Sequence, residues 1–142
     1  MNIHLFGLLE RIHGHISVLG LAVLLHPVIL LPRRKRLSRG TKWTIWLSIA
    51  LISTAYAMGL WIYPDYRTLI KPRLIAENIQ MAYLFESKEH LAFFCVVSVL
   101  GGSWMALRSQ SASERKMAWV LLLCGWLCGA LVAVLGILIA AA

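Results

Sequence analysis

An all-α integral membrane protein, folded as a bundle of four spanning helices, is what three features of this chain predict. Hydrophobic residues fill 60% of its 142 positions and charged ones only 14%, far from the roughly half-apolar, quarter-charged profile of a soluble domain. Four apolar runs occur along the sequence, each of about 18 residues or more and so able to cross a hydrocarbon core of roughly 30 Å. None alternates with the period of two that a barrel strand needs, which leaves helices as the way to pair backbone amides inside a bilayer. A soluble enzyme, a disordered tail and a disulfide scaffold are excluded by the same composition.

The first span is expected from about Gly14 to Leu31, where Pro32-Arg33-Arg34-Lys35-Arg36 closes it. The second runs from about Trp43 to Tyr63, before Pro64-Asp65, with Trp43, Trp46, Trp61, Tyr63 and Tyr66 reading as interfacial anchors. The third extends from His90 to Leu107, and the fourth from Met117 to Ala140, just before Ala141-Ala142. All four form a single transmembrane domain. No cleavable signal peptide is evident, so the first helix is expected to direct insertion. Cys95, Cys124 and Cys128 all fall inside spans, where they read as small apolar residues.

Charge sets the orientation. The first and third connections hold Arg33, Arg34, Lys35, Arg36, Arg39, Lys42, Arg108, Arg115 and Lys116 against one acid, Glu114, and so carry the whole net charge of +8. On the opposite side Arg11, Arg67, Lys71, Arg73 and Lys88 are balanced by Glu10, Asp65, Glu77, Glu86 and Glu89. The positive-inside rule then places both termini outside, in what reads as a bacterial inner (cytoplasmic) membrane. The basic run Arg33 to Arg36 serves as a topology anchor and attracts anionic lipid, and a nucleic-acid partner is not expected.

The outer connection, Pro64 to Glu89, is too long for a simple turn. Pro72 can open a helix there, with Leu74, Ile75, Ile79, Ala82 and Tyr83 on one face and Arg73, Glu77 and Gln80 on the other. An amphipathic outer helix between spans two and three follows, capping the bundle. The N-terminal Ile3, Leu5, Phe6, Leu8 and Leu9 either extend the first helix outward or lie in the same interface. Ser87 stands where it can cap the third span, which would put Glu89 in its first turn and His90 at its start.

His13 and His15, at the outer end of the first span, and His90 therefore share one depth. A b-type haem needs two imidazoles on different helices, and its propionates would meet Arg67, Lys71, Arg73 or Lys88. Residues two apart on a helix point about 200° apart, so only one of His13 and His15 can face His90. A copper, zinc or iron ion held by His13 or His15, His90 and a carboxylate, Glu89, Glu10 or Glu86, uses much the same residues. Three interfacial histidines bonded to loop carbonyls, with no cofactor, remain the third option.

His26 lies deeper, just before Pro27, which frees the carbonyl of Val23; a structural role in re-satisfying that backbone is expected. In the fourth span Gly125, Gly129 and Ala133, continued by Gly136, form a small-residue ridge that suits packing within the bundle or contact with a partner subunit.

In Arg11-Ile12-His13-Gly14-His15, in Ala55-Tyr56-Ala57-Met58-Gly59 and in Lys88 beside His90, the chain resembles small four-helix membrane proteins that bind b haem near one face, the copper-resistance protein D group and the bacterial membrane protoporphyrinogen oxidases. The resemblance implies haem or porphyrin binding at His13 or His15. The function expected is electron transfer through haem b, alone or in a larger redox complex. The alternatives are a cofactor-free accessory subunit, a metal-binding protein and a porphyrin-oxidising enzyme.

Overall fold

The computed structural model describes residues 3–33 and 36–140. Arg34 and Lys35 of the basic anchor, and the terminal Ala141-Ala142, lie outside these residues. Helix α1 spans Ile3–Leu30 and runs into a single 3₁₀ turn, Leu31–Arg33. It is followed by α2 (Arg39–Leu69), the short α3 (Lys71–Glu77), α4 (Ile79–Arg108) and α5 (Ala112–Ala140). Among the described residues, four helices are long and apolar enough to cross a membrane.

These four helices contain 28, 31, 30 and 29 residues. At 1.5 Å per residue they reach roughly 42–46 Å, well beyond a hydrocarbon core of about 30 Å. The helices thus outrun the apolar runs. The N-terminal Leu5, Phe6, Leu8 and Leu9 extend α1, and α2 continues as helix through Pro64 to Leu69.

The largest departure from the expected layout lies between α2 and α4. The amphipathic face read over Leu74 to Tyr83 is divided at Asn78, whose backbone leaves the helical region and whose side chain accepts from the Met81 amide. Residues before it form α3 and residues after it open α4. Ser87 is accordingly no cap: its hydroxyl donates to the Tyr83 carbonyl within α4. His90 sits three turns inside that helix. Tertiary contacts explain the early start, because the Phe85 ring stacks on Tyr66 of α2 at 3.6 Å and Lys71 of α3 donates to Glu86.

In the bundle α1 packs along α2 and α5, and α4 along α5 and α2, so α1 and α4 lie across from each other. One core, around Leu24, Ile45, Val99 and Leu122, fills one half; Phe6, Tyr66 and Phe85 fill the other end. Tyr66 therefore belongs to the core and is no interfacial anchor, whereas Trp43, Trp46 and Trp61 are exposed.

Close approach of α4 and α5 depends on reciprocal glycines. A Cβ on Gly102 would stand 2.9 Å from the Leu122 amide and 3.0 Å from the Ala118 carbonyl oxygen. One on Gly125 would stand 2.7 Å from Val99 and 3.2 Å from the Cys95 carbonyl oxygen. Gly129 is closed in the same way by Leu21 and Cys95. The Gly125 and Gly129 part of the ridge is consequently taken up inside the bundle, while around Gly136 the space is open.

Helix α5 is also tied to α1 by two indoles. Trp119 Nε1 donates to the Val28 carbonyl at 2.9 Å, and Trp126 Nε1 donates to the Leu21 carbonyl at 3.2 Å. The usual helical partner of the Val28 carbonyl would be residue 32, a proline without an N–H. Trp119 thus satisfies an acceptor that would otherwise cost about 1–3 kcal/mol if left unpaired in an apolar setting. His26 does not turn to the Val23 backbone; its Nδ1 pairs with Thr44 Oγ1 of α2 at 3.0 Å, bridging α1 and α2.

Candidate functional site

The end of the bundle that holds Phe6, Tyr66 and Phe85 also gathers polar side chains. His13 is half-buried, and its Nδ1–H donates to the Ala55 carbonyl of α2 at 2.8 Å. The imidazole lies against the bare backbone of Gly59, one turn further along α2: a Cβ there would be 3.3 Å from His13 Cε1. Ala55 and Gly59 share one face of α2, and their small size is what admits a ring between the helices. Because Nδ1 carries the proton, Nε2 is left with a lone pair, the tautomer that suits a metal-ligating imidazole backed by a carbonyl.

His15 points elsewhere. It is exposed, and its Nδ1 donates to the Arg11 carbonyl of its own helix at 2.7 Å. His90 is exposed too and bonds the Glu86 carbonyl of α4 at 2.8 Å. All three imidazoles therefore turn Nδ1 to a backbone carbonyl, but only His13 is gripped between two helices. Its helix and that of His90 lie across the bundle from each other, and no hydrogen bond joins the two imidazoles among the described residues.

Of the four cations assigned to propionates, Lys88 is the one turned inward. It is half-buried, its ammonium lies 4.6 Å from the centre of the Phe85 ring, and it comes within electrostatic reach of Glu10 and His13 on α1. Arg67 lies 5.9 Å over the Tyr63 ring, and Arg73 pairs with Glu77 at 3.8 Å on exposed α3. Lys71 donates to Glu86 at 2.6 Å, fastening α3 to α4. That hydrogen bond holds the Lys71 ammonium above its ordinary pKa. The tether is therefore present at neutral pH and is lost as pH rises through the elevated value.

The sequence does not reveal that Tyr66 is buried here. Tyr66 is 7% exposed, its hydroxyl has no hydrogen-bond partner, and Glu89 and Glu10 lie near it. The Glu89 carboxyl lies within reach of the Tyr63 hydroxyl of α2. Compared with protein-family models, with curated proteins and with solved structures, the chain matches none.

The metal-ion alternative, built on His13, His15, His90 and Glu89, gains nothing from this geometry. Among the described residues no three His, Cys, Asp or Glu side chains converge closely enough to hold an ion. The reason is local: His15 and His90 each turn onto their own helix, and Glu89 turns to Tyr63. What the site offers instead is one inward imidazole with a free Nε2, an inward ammonium, and a buried phenol that has no hydrogen-bond partner among the described residues.

Proposed function

We propose that this chain is a membrane-embedded b-type haem protein for electron transfer, alone or as a subunit of a larger redox complex, in which His13, held between helices, would bind the haem. The carrying observation is the His13 Nδ1–Ala55 carbonyl bond at 2.8 Å over Gly59, which orients the ring and leaves Nε2 as the ligating atom. His90, with its Nδ1 also bonded to a carbonyl, is the second imidazole, and Lys88 is the cation available to a propionate. When bound, the haem supplies one-electron chemistry at its iron. The chain's own part is to fix the His13 tautomer, keep that ring half-buried, and hold a positive charge nearby.

Purified protein should then show a sharp Soret band with reduced α and β bands, since two imidazoles hold the iron low-spin. His13→Ala and His90→Ala should each abolish or convert that spectrum; His15→Ala and His26→Ala should leave it nearly unchanged. A chain that stays colourless when expressed with excess haem removes the reading. A cofactor-free accessory subunit would then be favoured by the packing of Phe6, Tyr66 and Phe85, which fills this end of the bundle with the protein's own rings.

In the same reading the termini and α3 lie outside a bacterial inner membrane, and the basic connections lie inside. With the native cysteines replaced, a label at Leu37→Cys should be protected from impermeant reagents added outside, and one at Arg73→Cys should react. The reverse pattern would invert the orientation.

A further inference from the structure

At the opposite end of the bundle, the start of α2 carries a feature that haem binding does not use. Arg39, Lys42, Trp43 and Trp46 line a shallow groove of about 250 Å³. Their spacing, i, i+3, i+4 and i+7, puts all four on one helix face. The cations occupy the first turn, and Trp46 lies about 10.5 Å beyond Arg39 along the axis. Both indoles are exposed, Trp43 at 67% and Trp46 at 55%, and among the described residues no hydrogen bond engages their N–H groups, in contrast to Trp119 and Trp126.

No carboxylate neutralises the two cations among the described residues. Glu114, the one acid in the connections at this end, accepts from the Gln110 and Ser111 amides. Arg108 is occupied over the Trp104 ring at 3.9 Å. A Cβ on Gly40, between the two cations, would have only Ser38 Oγ nearby, at 3.9 Å, so the backbone of the first turn is open to approach. Positive charge at the headgroup level, with flat amphipathic rings one to two turns deeper, matches a lipid whose phosphate sits above its glycerol and acyl chains.

We propose that this groove binds one anionic phospholipid, its phosphodiester held by Arg39 and Lys42 and its glycerol-proximal chain lying along Trp43 and Trp46. The indoles decide the source of the phosphate, because a free anion would gain nothing from them. Among the described residues of the Arg33 to Arg36 anchor, none lines the groove.

The test is native mass spectrometry of the full chain in neutral detergent with added phosphatidylglycerol, phosphatidylcholine or inorganic phosphate. Phosphatidylglycerol should bind in a one-to-one ratio and clearly tighter than phosphatidylcholine. The double substitution R39Q/K42Q should weaken it by roughly thirtyfold, from about 1 kcal/mol per cation. W43A/W46A should weaken it with both charges retained, and R39K/K42R should preserve it, which separates loss of binding from loss of fold. Equal binding of the two lipids, equal competition by inorganic phosphate, or loss in R33Q/R36Q but not in R39Q/K42Q would overturn the proposal.

Discussion

Gly102→Leu is expected to drive α4 and α5 apart and to lower stability by roughly 3 kcal/mol, whereas Gly101→Leu, one residue away, should be nearly neutral. The contrast follows from what each side chain would meet. At Gly102 a Cβ runs into the Leu122 amide and the Ala118 carbonyl, backbone atoms that cannot swing aside. At Gly101 the nearest atom is Leu121 Cδ1 at 4.0 Å, an ordinary contact. Helix propensity favours Leu over Gly by something under 1 kcal/mol at both positions and so cancels in the comparison. Reversible unfolding in mixed detergent micelles measures both variants. Equal stabilities would show that the α4–α5 seam is loose and that Gly102 is not in it.

Gly59→Leu should displace the His13 ring and, in the haem reading, abolish the Soret band as completely as His13→Ala. A Cβ alone would sit 3.3 Å from His13 Cε1, 3.8 Å from Nδ1 and 4.0 Å from Nε2, so an isobutyl group takes the space the imidazole occupies. The Nδ1–Ala55 bond then breaks, and a neutral hydrogen bond of this kind contributes about 1 kcal/mol. Gly59→Ala should be intermediate, because the neighbour is a ring that can shift by a few tenths of an ångström. The test has two readouts: the absorption spectrum for the cofactor, and the imidazole NMR signals of His13 for the packing. If the ring signals stay in place in Gly59→Leu, the two helices do not grip His13.

The number of spanning helices was legible because a bilayer imposes length and apolarity on every one of them. Helix ends were not, since hydropathy marks the edge of the hydrocarbon and not the last hydrogen bond. Ile79 to Tyr83 reads as part of a separate amphipathic helix and Glu86 to Glu89 as the approach to the third span; the whole run is one helix with that span because Phe85 stacks on Tyr66 and Lys71 donates to Glu86. The divergence of His13 and His15 follows from helical geometry alone. That His13 would be the one between helices depended on Ala55 and Gly59, whose small size signals room but not for which ring. Gly102 and the two indole bonds were invisible because they need to know which helices are neighbours.

Those indole bonds bear on how the bundle can move. Trp119 and Trp126 are seven residues apart, and so are the carbonyls they reach, Val28 and Leu21. Both helices therefore repeat over the same interval of about 10.5 Å, like two matched pegs in a rail. A slide by one helical turn, 5.4 Å, would unseat both pegs together and strand the Val28 oxygen, so no half-slipped position is available. Piston motion of α5 past α1 is thereby opposed at two points at once. The α1–α2 pair is tied by His13 to Ala55 towards one end and by His26 to Thr44 towards the other, so α1 cannot shift along either neighbour without breaking side-chain hydrogen bonds.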